Sequence, residues 1–477
     1  MNFNSLEYLL FLPITLILYF ILPKKIKNPV LLIASFFFYM NWEPIYALLM
    51  LFSIAATYFC GLLVSKQALG KKKLWLVLCL IINLGILFVF KYFNFFTDTI
   101  GNLVGRELIT IDVLLPVGIS FYTFQALGYT IDVYRGDIEA EKNFIDYALF
   151  VSFFPQLVAG PIERTGNIVP QLKKHHKFSF ANLRDGFLLI LWGMMKKILI
   201  ADNLAVVVNT VYNDVHSHTG MQMIFATLCF AFQIYCDFSA YSDIARGSAR
   251  IMNIKLMRNF DCPYRAQTIK EFWRRWHISL STWFKDYLYF PLGGSRCSKA
   301  RQCFNVLVVF LVSGLWHGAA MTYVIWGALH GLYQIGGILM APIRKRLYKV
   351  IKENNPVLVI LRMVFTFILV NIAWVLFRAN SLSDAAYIFK TIFSIDTVFP
   401  LAFGTLGLSR KMLIVMGIAV IILYIVDFVN SIKPVAKWIN GRIFIRYLIY
   451  VIILLAIFIF GYYGAGFDPQ DFVYFQF

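Results

Sequence analysis

The sequence has few charged residues and few cysteines. Only 14% of its 477 residues are Asp, Glu, Lys or Arg, whereas 60% are hydrophobic and the mean hydropathy is +0.70. A chain this poor in charge cannot bury its apolar surface in a core of its own, which excludes an ordinary water-soluble enzyme. The seven cysteines form no C-x-x-C pair and no zinc-like cluster, so we interpret them as small hydrophobic residues.

The sequence also lacks the motifs of several enzyme classes. It contains no Walker phosphate loop, no G-x-G-x-x-G after a strand and no G-x-S-x-G elbow. Carboxylates such as Asp132, Asp237 and Asp243 occur singly, which argues against a two-carboxylate hydrolase and against a two-metal site. These absences disfavour ATP-driven and nicotinamide chemistry and leave histidine as the most available base.

Long apolar runs recur from one end of the chain to the other. A bilayer core about 30 Å thick needs roughly 20 apolar residues for each helical crossing. The sequence therefore predicts an all-α polytopic membrane protein, embedded in the lipid bilayer as a single domain over residues 1–477. The formal net charge is +19, and the basic residues cluster in short loops between the apolar runs. This pattern is typical of cytoplasmic loops and does not indicate nucleic-acid binding.

The basic loops also predict the orientation of the chain. The first run, Leu6–Leu22, ends at the basic segment Pro23–Lys27, and the next two runs meet at Asn41–Pro44, which has no basic residue. By the positive-inside rule, the N-terminus is predicted to be extracytoplasmic in a multi-pass protein of the inner (cytoplasmic) membrane. The run Phe144–Gly160 is followed by further basic residues and is predicted to be a short re-entrant element.

Residues 246–302 form the longest charged stretch and are predicted to be an amphipathic region at the cytoplasmic face. Its middle, EFWRRWHISLSTWFKDYLYFPLGG (Glu271–Gly294), interleaves aromatic and charged residues closely enough to lie in the membrane interface. Composition alone leaves His277 either a lipid-interface anchor or a substrate residue. Arg274 and Arg275 could receive an anionic donor such as a coenzyme A thioester or phosphopantetheine.

Two histidines, His317 and His330, interrupt the next apolar stretch, SGLWHGAAMTYVIWGALHG (Ser313–Gly331). Basic clusters lie on both sides of residues 303–342, and Cys303–Trp316 spans only about 21 Å, less than a perpendicular crossing needs. The chain is therefore predicted to turn inside the membrane at His317 and the glycine after it. An ionisable group at that depth usually faces a cavity or the protein interior, so we predict a functional His317 and a structural His330.

Acyl transfer fits a histidine at membrane depth that is reached from a basic, aromatic face. The histidine would take the proton of a hydroxyl as it attacks a thioester, and a water-poor site would spare the thioester from hydrolysis. A transporter or flippase, in which an intramembrane histidine marks a substrate path, is an alternative of another class. A non-catalytic membrane scaffold is a third.

The two quoted stretches together resemble the signature of the membrane-bound O-acyltransferase (MBOAT) family. FFPQLVAGPIER (Phe153–Arg164), DFSAYSDIARGSARIMNIKL (Asp237–Leu256) and the terminal FVYFQF (Phe472–Phe477) resemble a bacterial branch, the membrane subunits of alginate and other polysaccharide O-acetyltransferases. The resemblance covers most of the chain. It implies a ring of roughly 10–12 transmembrane helices around central re-entrant helices, with a tunnel from a cytoplasmic funnel to the outer face.

The resemblance also implies roles for individual residues. His317, in the W-H-G motif, matches the family's catalytic histidine, which makes residues 303–342 a catalytic intramembrane hairpin. His277, in the R-W-H-x-S-L-S motif, matches a second functional position near the donor entrance. Trp316, Asn305 and Asp286 are further candidates for lining or orienting substrate, with packing as the alternative.

The function that the resemblance implies is acetyl transfer from cytoplasmic acetyl-CoA to an extracytoplasmic or cell-wall polysaccharide. Acetyl-CoA is then a substrate, and no tightly bound cofactor or metal is expected. A separate extracytoplasmic O-acetyltransferase with a serine hydrolase-like domain is the expected partner, since little of this chain lies outside the membrane to bind a polymer. The nearest alternative is D-alanyl transfer to teichoic acid from an aminoacyl carrier protein, by a protein that resembles the family and carries the same two histidine motifs.

Overall fold

The computed structural model describes residues 1–158, 160–350, 352–394, 397, 399–432, 435–464 and 472–473. All regular secondary structure within these ranges is helical, which confirms the all-α prediction. Six helical segments within them are long and apolar enough to cross a bilayer: Tyr46–Lys66, Gly70–Val104, Gly220–Ile251, Pro356–Arg378, Arg410–Ser431 and Ile443–Phe460. The polytopic membrane class is therefore confirmed, whereas the ring arrangement and the number of roughly 10–12 crossings stay predictions.

The chain divides into two compact units. Unit 1 comprises residues 1–190 and 241–258, and unit 2 comprises residues 191–240 and 259–477. The long helix α12 contributes residues to both units. That residues 1–477 act as one functional domain stays a prediction.

Unit 1 holds the first nine helices and the start of the tenth. They are α1 (Leu6–Ile21), α2 (Lys24–Met40), α3 (Tyr46–Lys66), α4 (Leu69–Leu87), α5 (Phe93–Val104), α6 (Ile119–Arg135), α7 (Phe144–Ser152), α8 (Phe154–Leu157), α9 (Thr165–Leu172) and α10 (Phe180–Met194). A π-helical turn, Phe88–Tyr92, joins α4 to α5. The run predicted to be re-entrant, Phe144–Gly160, is broken at Phe153 into α7 and α8. Neither helix can cross a bilayer, since nine helical residues span only about 14 Å.

Unit 2 holds the remaining α-helices of the described residues. They are α11 (Asp202–Tyr212), α12 (Gly220–Ile251, shared with unit 1), α13 (Ile269–Arg275), α14 (Ile278–Phe284), α15 (Lys299–His317), α16 (Met321–Leu339), α17 (Ala341–Val350), α18 (Pro356–Arg378), α19 (Leu382–Phe393), α20 (Arg410–Ile432), α21 (Val435–Asn440) and α22 (Ile443–Phe460). Two π-helical segments, Met195–Ala201 and Lys285–Tyr289, precede α11 and follow α14. Most of the surface of α22 is apolar and exposed, which suits contact with lipid.

The hairpin predicted for residues 303–342 consists of α15 and α16, which pack against each other along their length. Helix α15 ends at His317, the position at which the sequence predicts the turn. The helices approach each other so closely that only glycine fits at two positions. A Cβ atom on Gly314 would lie 2.3 Å from the Tyr323 carbonyl oxygen, and one on Gly327 would lie 2.3 Å from the Phe310 carbonyl oxygen. The depth of this turn in a membrane stays a prediction.

Helix α15 begins earlier than the apolar run that predicted it. The Ser298 side chain accepts a hydrogen bond from the Arg301 backbone N–H at 3.3 Å, which caps the helix at Lys299. Its 19 residues therefore extend about 28 Å rather than about 21 Å. The additional turn carries Lys299 and Arg301, so it suits the polar edge of a membrane.

Candidate active site

His277 lies at the junction between α13 and α14, in a backbone conformation that few non-glycine residues adopt. Its φ and ψ angles are 43° and 54°, in the left-handed region. Asn259 holds this junction, because its carbonyl oxygen accepts the Ile278 N–H at 2.9 Å and its Oδ1 accepts the Ser279 N–H at 3.2 Å. The imidazole of His277 is completely buried.

His317 is the last residue of α15, and 3% of it is exposed. The tight hairpin brings Trp326 of α16 beside it, with ring centroids 5.0 Å apart. Helix α18 packs on α16 and supplies Phe377, whose ring lies 5.6 Å from that of His317. Three helices therefore build the surroundings of this histidine.

The two histidines are 40 residues apart in sequence and lie together in the structure. Their ring centroids are 6.4 Å apart, and the Trp316 ring lies 5.9 Å from His277 and 5.0 Å from His317. Phe238 of α12 packs edge-on against His277 at 4.6 Å. We refer to the following six side chains as the histidine cluster: Phe238, His277, Trp316, His317, Trp326 and Phe377.

The aromatic surroundings decide the charge of His277. Burial lowers its pKa to about 3, because a charged imidazolium there would lose its hydration. At physiological pH the ring is therefore neutral, so one ring nitrogen can donate a hydrogen bond and the other can accept one. A neutral His277 also adds no positive charge beside His317.

His330, which the sequence predicts to be structural, lies behind the histidine cluster. It is completely buried, and its Nδ1 accepts a hydrogen bond from the indole N–H of Trp273 at 3.3 Å. The Trp326 ring lies 5.0 Å from both His330 and His317. His330 therefore supports one wall of the cluster, in keeping with a structural role.

Of the weaker candidates, Trp316 belongs to the histidine cluster, whereas Asn305 and Asp286 do not. Asn305 is buried, and its amide donates to the Gly294 carbonyl oxygen at 3.2 Å, which ties α15 to the preceding glycine turn. Asp286 lies in the π-helical segment Lys285–Tyr289, and 37% of its side chain is exposed. Substrate contacts by these residues stay predictions.

The two predicted arginines differ in their surroundings. Arg275 forms ion pairs with Glu271 at 2.9 Å and with Asp261 at 3.4 Å. Arg274 is exposed. Arg274 is thus the better placed of the two to meet an anionic donor, and donor binding by either residue stays a prediction.

Four residues that build this site were not predicted from the sequence: Phe238, Asn259, Trp326 and Phe377. Trp326 lies nine residues after His317 within the quoted stretch Ser313–Gly331, so its position in that stretch could have indicated it. Asn259 and Phe377 approach the site only through the folding of α12, α13 and α18. No periodicity or spacing in the sequence indicates those contacts.

Comparison with known proteins gives concordant matches. The model of the membrane-bound O-acyltransferase family matches residues 140–377, which include both histidines. The probable alginate O-acetylase AlgI of Pseudomonas aeruginosa is 40% identical over 408 residues, which cover 83% of this chain and 76% of that protein. The peptidoglycan O-acetyltransferase of Helicobacter pylori is 38% identical over 420 residues, covering 81% and 79%. The teichoic acid D-alanyltransferase of Bacillus subtilis is 29% identical over 229 residues, covering 45% and 57%.

Proposed function

The chain belongs to the membrane-bound O-acyltransferase family, and from that premise we propose that it transfers acetyl groups from acetyl-CoA towards an extracytoplasmic polysaccharide. It is a membrane acyltransferase, as the family and the names of its relatives show. The relatives named for alginate and peptidoglycan O-acetylation support acetyl as the group and a polysaccharide as the final acceptor. The observation that carries the proposal is the pair His277 and His317, buried together within the region that the family model matches.

In the proposed reaction, His317 is the general base. It takes the proton of a hydroxyl group while the hydroxyl oxygen forms a bond to the carbonyl carbon of the acetyl thioester. The carbon–sulfur bond then breaks, and the coenzyme A thiolate leaves and is protonated. The rings of the histidine cluster keep water away from the thioester, which limits its hydrolysis.

His277 is proposed to orient the donor rather than to exchange protons. Its neutral ring offers one donor and one acceptor at a fixed position, because Asn259 holds the backbone of the two residues that follow it. Arg274, which is exposed on α13, is proposed to contact the phosphates of coenzyme A at the cytoplasmic entrance.

We also propose that the chain works with a partner. The acetyl group is handed to an extracytoplasmic O-acetyltransferase, which completes its transfer to the polysaccharide. The proposed location is the inner membrane, with the N-terminus outside, in agreement with the basic loops.

The test is acetyl transfer from labelled acetyl-CoA in vesicles that contain the wild type or His317→Ala. General-base catalysis contributes about 10²–10⁴ in rate, so the variant is expected to lose label transfer by that factor at equal abundance in the membrane. Unchanged transfer by His317→Ala would exclude it as the required base.

D-alanyl transfer is the second candidate, favoured by the match to the Bacillus subtilis protein. That match covers 45% of this chain, whereas the alginate O-acetylase match covers 83%. The same vesicles supplied with a carrier protein loaded with labelled D-alanine separate the two donors. Transfer of D-alanine in place of acetyl would replace the proposed donor, and transfer of neither group would favour a transport function.

A further inference from the structure

Two buried polar groups next to His277 have no hydrogen-bond partner in the part of the chain that the structure describes. They are the amide Nδ2 of Asn259 and the hydroxyl of Ser279, and both residues are 0% exposed. A buried donor without a partner costs about 1–3 kcal/mol, so folded proteins contain few of them and each one requires an explanation. The two residues are in contact, because the Ser279 N–H donates a hydrogen bond to the Asn259 Oδ1.

We propose that Asn259 Nδ2 and the Ser279 hydroxyl donate hydrogen bonds to the carbonyl oxygen of the acetyl thioester as that oxygen acquires negative charge. This inference rests on the proposed acetyl transfer. The inference names the groups that stabilise the tetrahedral intermediate of that reaction, and it assigns a function to two residues outside the histidine cluster.

The orientation of the Asn259 amide follows from its contacts. Its Oδ1 accepts the Ser279 N–H, so this end of the amide must be the oxygen, and the NH2 group is the end left without a partner. Its main chain is fixed as well, because the Asn259 carbonyl oxygen accepts the Ile278 N–H at 2.9 Å. The free donor is thus held in place before any substrate binds, as electrostatic stabilisation of a transition state requires.

Ser279 differs from the other hydroxyl residues of α14. Thr282 donates to the Ile278 carbonyl oxygen at 2.8 Å, and Ser281 donates to the Trp276 carbonyl oxygen at 3.2 Å. The Ser279 hydroxyl, in contrast, has no hydrogen-bond partner among the described residues, so its hydrogen is available for a bound molecule.

The proposed step proceeds through a tetrahedral intermediate. As the acceptor oxygen bonds to the carbonyl carbon, the carbon–oxygen π electrons move to the carbonyl oxygen, and the acceptor's proton moves to His317. Asn259 and Ser279 stabilise the resulting oxyanion by hydrogen bonds. The oxyanion then re-forms the carbonyl as the carbon–sulfur bond breaks, and the thiolate takes up the proton held by His317.

The first test compares the steady-state kinetics of wild type, Ser279→Ala and Asn259→Asp with labelled acetyl-CoA. Ser279→Ala deletes a single hydroxyl, and Asn259→Asp keeps the Oδ1 acceptor while it removes the NH2 donor. Loss of one oxyanion donor costs about 10²–10³ in kcat, and we expect KM for acetyl-CoA to change less than about threefold. Thr282→Val, which deletes a hydroxyl bonded within the same helix, is the matched control with expected wild-type kinetics.

The second test does not depend on turnover. A trifluoromethyl ketone analogue of acetyl-CoA forms a hydrate that imitates the tetrahedral intermediate, whereas S-ethyl coenzyme A has no carbonyl group. We expect Ser279→Ala and Asn259→Asp to weaken binding of the ketone by the factor lost in kcat/KM, and to leave binding of S-ethyl coenzyme A unchanged. Equal weakening of both ligands would show a merely structural effect and overturn the inference.

The outcomes separate this inference from the function on which it rests. Acetyl transfer by the wild type together with unchanged kcat in Ser279→Ala and Asn259→Asp overturns the assignment and leaves the proposed function intact. Absence of acetyl transfer by the wild type overturns the proposed function and the assignment with it.

Discussion

Two of the places in which unit 2 buries polar side chains differ in how their interactions are completed. In the first, the Lys197 ammonium lies 2.8 Å from a carboxylate oxygen of Asp202 and 2.9 Å from one of Asp237. The second oxygen of Asp237 accepts the Val473 N–H at 2.7 Å. In the second place, Asn259 and Ser279 each bury a donor that has no partner among the described residues.

The comparison distinguishes polar groups that stabilise the fold from polar groups that are available to bind a ligand. Buried charges as well paired as Lys197, Asp202 and Asp237 are explained within the protein itself. The donors of Asn259 and Ser279 are not, although the same chain buries them equally well. Mutation of the Lys197 network is therefore expected to lower stability, whereas removal of the Asn259 or Ser279 donor is expected to lower turnover.

The largest expected effect tests the completed network. Lys197→Met leaves two buried carboxylates without their shared cation, and removal of one partner from a buried ion pair typically costs 3–5 kcal/mol. We expect a correspondingly lower free energy of unfolding and lower abundance in the membrane, with acetyl transfer per folded molecule unchanged. Thermal unfolding in detergent and transfer normalised to folded protein measure the two quantities.

The same substitution at the surface is the control. Lys285 lies 4.0 Å from Asp286, and 54% of its side chain is exposed. Exposed ion pairs contribute about 0–1 kcal/mol, so Lys285→Met should cost less than about 1 kcal/mol. Equal losses in the two variants would contradict the distinction between a buried network and a surface pair.

The second prediction concerns pH and the neutral His277. Its pKa is about 3 in the folded protein, against about 6.5 when the chain is unfolded. Between these values the unfolded state binds a proton that the folded state does not, so this stabilisation is complete above pH 6.5 and is lost as the pH falls. From pH 7 to pH 5 this one group should lower the free energy of unfolding by about 2 kcal/mol.

The measurement is the difference in pH dependence between the wild type and His277→Asn. Asparagine tolerates the left-handed backbone at this position and has no titrating group. The variant should therefore lose less stability than the wild type on acidification. Parallel pH curves would mean that His277 is not buried in its neutral form.

Much of the fold follows from the sequence for clear physical reasons. Long apolar runs must form helices in a bilayer, and the two runs that meet at Asn41–Pro44 form α2 (Lys24–Met40) and α3 (Tyr46–Lys66). The turn at His317 was predicted from glycines and basic flanks, and α15 ends there. The start of α15 was less well predicted, because the apolar run begins at Cys303 whereas the helix begins at Lys299, where Ser298 caps it.

The candidate site was predictable only in part. The motifs identify His277 and His317, and the structure brings them together. Asn259 could not be found from the sequence, because it lies 18 residues before His277 and reaches it only through a bend in the chain. Ser279 stands inside a quoted motif, but its unpartnered hydroxyl becomes evident only once the bonds of its neighbours are known.

The smallest expected effect gives the sharpest contrast with Ser279. Tyr212 is also a buried hydroxyl residue of unit 2, but its oxygen lies 2.7 Å from the hydroxyl of Thr227, which in turn donates to the Met223 carbonyl oxygen at 2.8 Å. Tyr212→Phe removes one completed hydrogen bond and leaves Thr227 its other partner, so it should cost about 1 kcal/mol of stability. It should leave kcat unchanged, whereas Ser279→Ala should lower kcat with little loss of stability. A fall in kcat for Tyr212→Phe as large as that for Ser279→Ala would contradict the distinction between the hydrogen-bonded Tyr212 and the unpartnered Ser279 hydroxyl.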